Sequence, residues 1–309
     1  MWRITAIAGN TLREALRDRV LQAMLACCSA LLLFFLALAE LSLHEQRRVL
    51  IDLGLATISL LTVLLTLFVS ATLLHKELER KTLYILLPKA VRRAEVVAGK
   101  FVGVVLLLSV WVALVGSLLL SLSAVQAGGA WVWPLLGVGL TTGALAALRW
   151  RHVDPTLWLP PAAWGLSAGL YLWAAQHVPP APALAAALGL ILAEGLLLCA
   201  VVLVFASFST PLVTGLLGFG LWLVGRSADT LAATRSKLLG PGLRQFLHRL
   251  AEVCPNFNLF FPGRGRLESE VLAGGALWRY CAQSWAYALL YAAFALAIAM
   301  ALFQRRDLP

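Results

Sequence analysis

The chain has 309 residues, of which 61% are apolar and only 13% charged, with a formal net charge of +10. A soluble domain carries about 25% charged residues, so the mean hydropathy of +0.86 excludes an ordinary water-surrounded fold. The basic residues stand beside apolar runs, a placement that fits membrane topology and argues against a nucleic-acid partner.

Most residues fall in runs of fifteen to twenty-three with almost no charge. A run of about 18 apolar residues crosses the hydrocarbon core as a helix, and lipid cannot satisfy open backbone groups. The alternating ten-residue segments of a membrane barrel are not seen. The expected fold class is therefore all-α: a polytopic helical membrane protein.

In chain order, residues 2–20 place Ile4, Ile7, Ala8, Leu12, Ala15 and Leu16 at helical spacing, with Arg3, Asn10, Arg13 and Arg17 opposite. This pattern predicts an amphipathic helix on the membrane surface. Its charges leave no uninterrupted apolar region, so no cleavable signal peptide is expected. Eight spans follow, at 21–39, 53–74, 101–122, 131–148, 156–175, 183–205, 211–225 and 281–303. Pro160 and Pro161 fall in the first turns of the fifth, where proline costs least. Pro211 opens the seventh, which is short enough to tilt or stop part-way. Trp131, Trp133, Trp150, Trp158 and Trp173 sit near predicted span ends, as an interfacial belt requires.

With the N-terminus inside, the short inner segments hold fifteen Lys/Arg and the short outer loops two, Arg47 and Arg48. The positive-inside rule then puts both termini in the cytoplasm. The long segment 226–280 becomes extracytoplasmic. Within it, 243–253 shows Leu243, Phe246, Leu247 and Leu250 on one face, predicting a short helix on the outer surface.

The segment 75–100 holds seven Lys/Arg and three Glu between two apolar spans. Glu77 and Lys81 stand at i,i+4 on a helix continuing the second span. Thr82 is placed to cap a short apolar helix that Pro88 ends. Such a helix needs headgroups, its own spans or another protein to cover it.

No motif for chemistry accompanies it. Gly99-Lys100 lacks the glycine and the Ser/Thr of a phosphate loop, and no nucleophile elbow or zinc-helix signature occurs. The five cysteines (Cys27, Cys28, Cys199, Cys254, Cys281) show no metal spacing. The chain is expected to have no catalytic, cofactor or metal site of its own. Glu194 lies mid-span in LILAEGLLL, where a carboxylate has to face protein or water. It lines a path or seam, or it fixes helix packing.

The stretch 52–100, DLGLATISLLTVLLTLFVSATLLHKELERKTLYILLPKAVRRAEVVAGK, resembles permease subunits of type-2 ABC transporters. The likeness rests on Glu77, Glu79, Arg80, Lys81, Thr82, Leu83, Leu86, Leu87, Pro88, Arg93, Glu95, Gly99 and Lys100. AGNTLREALRDRVLQ resembles the family's N-terminal elbow helix, and 193–225 its penultimate hairpin. The nearest branch includes permeases that serve nitrous oxide reductase maturation. The resemblance covers 1–122 and 183–309. It implies a six-helix core, with 123–182 as an inserted transmembrane pair. It also implies a second permease subunit, identical or not, and a separate ATP-binding subunit that holds ATP and Mg. The 75–100 hairpin would couple to that subunit through Glu77, Glu79, Arg80, Lys81, Thr82, Leu83 and Tyr84. The expected function is ATP-driven transport, as an exporter, across the bacterial cytoplasmic membrane. A non-transporting anchor or mechanical transmitter would share the hairpin. An ion-coupled carrier would show an internal repeat, and none is visible.

Overall fold

The computed structural model describes residues 2–42, 46–79, 93–139, 158–178, 181–227, 249, 254–261 and 275–305; for 2, 74–79, 93 and 305 it describes the backbone alone. Every long element among them is helical. They are α1 (Trp2–Leu16), α2 (Arg19–Leu41), α3 (Gln46–Glu79), α4 (Arg93–Gln126), α5 (Leu159–Ala174), α6 (Ala181–Ala206), α7 (Pro211–Arg226) and α8 (Gly275–Arg305). A further helical stretch covers 132–139, and a 3₁₀ turn covers Phe257–Phe260. Five helices among the described residues, α2, α3, α4, α6 and α8, are long and apolar enough to cross a membrane.

These five contain the expected spans 21–39, 53–74, 101–122, 183–205 and 281–303 and extend beyond them. At the start of α3 the extension has a visible cause. Leu50 and Ile51 are buried, and Arg48 pairs with Asp52 one turn on at 3.7 Å. The fifth and seventh expected spans appear as 16-residue helices, α5 and α7. Both begin on the predicted prolines: Pro160 and Pro161 in the first turn of α5, Pro211 at the first position of α7. The expected span 131–148 is described only to 139, and the surface helix 243–253 lies outside the described residues apart from Arg249.

Helix α6 is the axis of the bundle. Its sequence is apolar all round, the pattern of a helix with no solvent face, and it is buried along nearly its whole length. It packs against α8, α3, α4 and α7. The α8 face turned toward the core is a stripe of small residues, Ala288, Ala292, Ala295 and Ala299, all buried. The opposite face, with Leu290 and Phe294, is exposed. Small residues let two backbones approach where lipid offers no hydrophobic drive for association.

Helix α1 is set off from α2 by Asp18, whose Oδ1 accepts from the Val20 N–H at 3.0 Å and caps α2. The apolar face of α1 is buried through Ala8, Leu12 and Ala15, and α1 packs chiefly on α4. The contacts advance in step along both helices. Arg3 pairs with Glu95 at 3.9 Å, Ile4 and Ile7 meet Gly99, and Ala8 and Thr11 meet Gly103. A Cβ on Gly99 would lie 2.7 Å from Ile7, and one on Gly103 2.7 Å from Thr11 Cβ and 2.9 Å from the Ala8 carbonyl oxygen. The two glycines, one turn apart, thus form the groove that seats α1.

Gly103→Val should therefore push α1 off α4. Overpacking costs about 1–3 kcal/mol, to be read as a lower midpoint in thermal unfolding of the detergent-solubilised protein. Gly9 faces open space, so Gly9→Ala should leave the midpoint unchanged or raise it slightly, by up to about 1 kcal/mol.

Candidate functional site

Two places combine polar chemistry with an apolar surround: the root of the 75–100 hairpin and the surroundings of Glu194.

At the hairpin root, α3 continues as helix to Glu79 and α4 resumes at Arg93. Glu77 and Glu79 therefore stand on the last turns of α3. Arg80, Lys81, Thr82, Leu83 and Tyr84, with Leu86, Leu87 and Pro88, lie outside the described residues. Three residues of the same sequence signature have defined places. Glu95 pairs with Arg3, Gly99 seats Ile7, and Lys100 is 1% exposed with its Nζ donating to the Leu73 carbonyl oxygen. A buried ammonium is expensive unless paired, so Lys100 holds α4 against α3 where the apolar part of α3 ends. These three residues build the root that presents the hairpin. A second tie lies deeper: Trp111 Nε1 of α4 donates to Thr62 Oγ1 of α3 at 2.9 Å.

Glu194 is on α6 and is 1% exposed. Its Oε1 accepts from Trp222 Nε1 at 2.8 Å and from Arg226 Nη1 at 3.0 Å. Its Oε2 accepts from Ser59 Oγ at 3.2 Å. One carboxylate thus gathers three helices: α6 by its own position, α7 through Trp222 and Arg226, and α3 through Ser59. The Arg226 guanidinium is itself held, with its carbon 4.4 Å from the Phe261 ring centroid and 5.8 Å from that of Trp222. Phe261 follows the 3₁₀ turn, whose Phe257 and Phe260 are buried. That turn sits so close to the end of α7 that a Cβ on Gly225 would meet the Pro255 carbonyl oxygen at 2.3 Å. Asn256 caps the turn by accepting from the Asn258 N–H at 2.9 Å. On the α8 side, Tyr280 Oη donates to the Leu259 carbonyl oxygen at 2.6 Å and Tyr287 Oη accepts from the Asn256 N–H at 3.0 Å.

The other buried hydroxyls of α3 are satisfied at short range. Thr62 and Thr66 donate to carbonyls one turn back, Ile58 at 2.6 Å and Thr62 at 2.7 Å, and Ser70 donates to Cys199 Sγ at 3.4 Å. The geometry around Glu194 is that of an enclosed, fully partnered carboxylate joining helices.

The sequence singled out Glu194 but not its partners. Arg226 was counted with the outer segment 226–280, whereas it is the last residue of α7. Depth would have identified it. Counted away from the turn at 207–210, residues 194–206 and 211–226 cover similar distances on antiparallel helices. The first basic residue on the neighbouring helix therefore falls level with the carboxylate. No protein-family model matches the chain, and no curated protein matches it.

Breaking a buried pair by removing one partner costs roughly 3–5 kcal/mol. Arg226→Met, which strands the carboxylate, should thus lower stability by about 3 kcal/mol in a denaturant titration of the purified protein. Adding Glu194→Gln should restore more than half of that loss. Strictly additive losses would show that the two side chains do not interact.

Proposed function

We propose that this chain is the permease subunit of an ATP-driven transporter of the type-2 ABC class, an exporter resident in the bacterial cytoplasmic membrane. The 75–100 hairpin would dock into a separate ATP-binding subunit that carries ATP and Mg, and a second permease copy or relative would complete the assembly. Both termini would be cytoplasmic. The six-helix core would be α2, α3, α4, α6, α7 and α8, with α1 as its elbow helix and 123–182 as the inserted pair.

The observation that carries this reading is the construction of the hairpin root. Helices α3 and α4 have 34 residues each. They are roughly 50 Å long at 1.5 Å per residue, against a hydrocarbon core of about 30 Å. The apolar run of α3 ends at Leu74 and the helix runs on through His75, Lys76, Glu77 and Glu79. At that end Lys100 joins α4 to α3, and α1 is clamped alongside by Gly99 and Gly103. A loop meant only to connect two spans needs none of this. A hairpin that receives a push needs both arms stiff and braced past the bilayer, and the sequence reserves its densest mixed charge for the segment 75–100. Glu194, fully partnered inside one chain, fits a structural joint in such a permease better than a wall of the substrate route.

The test is a photoreactive amino acid placed at Tyr84 in cells of the native host. The expected adduct is an ATP-binding subunit, and the doubly reversed variant Arg80→Glu/Lys81→Glu should lower recovery of that subunit about tenfold, equivalent to about 1.4 kcal/mol. Labelling of Tyr84→Cys by an impermeant thiol reagent from outside the cell would overturn the topology and with it the reading.

A further inference from the structure

The segment assigned to an insertion leaves a feature that the core does not use. Between α4, the 132–139 helix and α5 runs a cleft of about 410 Å³. Leu114 and Leu122 mark its ends on α4, Leu159 and Leu170 mark them on α5, and Leu135 and Val138 stand on the third wall. At 1.5 Å per residue it is about 12 Å long on α4 and about 16 Å on α5.

Three observations decide what fills it. The first is the absence of polar partners. Among the described residues, its only polar side chains besides the Trp131 indole are Ser117 and Ser121. Their hydroxyls already donate to the Leu114 and Ser117 carbonyl oxygens, each at 2.7 Å. Buried water needs two to four polar partners, so water is a poor occupant. An empty cleft of this size would leave its apolar walls without packing atoms.

The second is access. Leu135 is 67% and Val138 48% exposed, so the third wall opens outward, on helices whose outer faces are apolar.

The third is length and direction. The cleft runs along the helices for about the depth of one leaflet, half of the roughly 30 Å hydrocarbon core. Gly137 lies against Leu166 and Leu170, and Gly129 against Trp173. The Trp131 end of the cleft is therefore the end at which both α4 and α5 terminate. A tryptophan at that level marks the headgroup boundary.

We propose that this cleft binds one acyl chain of a bilayer phospholipid, with the headgroup at the Trp131 end. The site belongs to the inserted pair and α4, and it stands whether or not the chain is a transporter permease.

The experiment uses the full chain reconstituted in vesicles doped with a phosphatidylethanolamine that carries a photoactivatable diazirine at mid-chain. Adducts should concentrate on peptides containing 114–122 and 159–170, well above the lipid-facing peptide of α8 that contains Leu289 and Phe294. Ala162→Phe, which fills the cleft, should cut the cleft adducts at least fivefold and leave the α8 adducts unchanged. The wild-type map is decisive if that variant does not fold. Labelling spread evenly over all exposed helices, or cleft peptides that stay unlabelled while α8 is labelled, would overturn the site.

Discussion

A polar side chain inside this bundle has no water to turn to, so it must find its partner on a neighbouring helix or on its own backbone. That constraint sorts the buried polar residues into two kinds. Thr66, Ser117 and Ser121 bond to carbonyls on their own helix and so add little between helices, whereas Thr62 bonds its own helix and also accepts from Trp111 of α4. Glu194 and Lys100 cannot be satisfied that way. Glu194 draws in α7 and α3, and Lys100 draws in α3. The two charges that are dearest to bury thus fix the relative depth and rotation of four helices. The apolar surfaces around them then pack with few specific demands, as the alanine stripe of α8 against α6 shows.

The same constraint explains the form of α7. Its 16 residues make a helix of roughly 24 Å, short of the hydrocarbon core, and it ends at Arg226 where Glu194 waits. The backbone beyond it would face lipid with open groups unless protein covered it. The segment 254–261 supplies such cover, with Phe257 and Phe260 buried and its polar backbone tied to Tyr280 and Tyr287 of α8. A short helix, a buried ion pair and the folded-in segment 254–261 are one solution to one problem.

The spans were legible because apolar length is a one-dimensional property. Helices α2, α3, α4, α6 and α8 could be read from run length alone, and the starts of α5 and α7 from Pro160 and Pro211. Helix ends were less legible, because α3 begins early on the burial of Leu50 and Ile51, a property of tertiary packing. Periodicity found the apolar face of α1 but not its partner. Ala8, Leu12 and Ala15 read equally well as a face for lipid or for a helix, and only the pairing with Gly99 and Gly103 settles it. Glu194 stood out by composition, whereas Arg226, Trp222 and Ser59 join it from 28 to 135 residues away along the chain. Lys100 was legible as part of a signature and not as a clamp, since a lysine at a span entrance ordinarily faces headgroups.

Under the proposed transporter reading, these contacts also say how a push at the hairpin would be received. A force delivered beyond Glu79 reaches α3 and α4 together, because Lys100 and the Trp111–Thr62 bond keep them from sliding, and α1 would have to move with them through its seat on Gly99 and Gly103. Along α3 from that end, Ser70 donates to Cys199 Sγ of α6 at 3.4 Å and Ser59 donates to Glu194, which holds Arg226 and through it meets Phe261 of the segment 254–261. The chain of contact therefore runs from one end of the bundle to the other through a single helix. Its weak links are two neutral hydroxyls, Ser70 on sulfur at 3.4 Å and Ser59 on the carboxylate at 3.2 Å, and a strong one is the ion pair at 3.0 Å. A tilt of α3 would strain the Ser70 and Ser59 contacts with α6 before the Glu194–Arg226 joint, so that joint would hold α7 to α6.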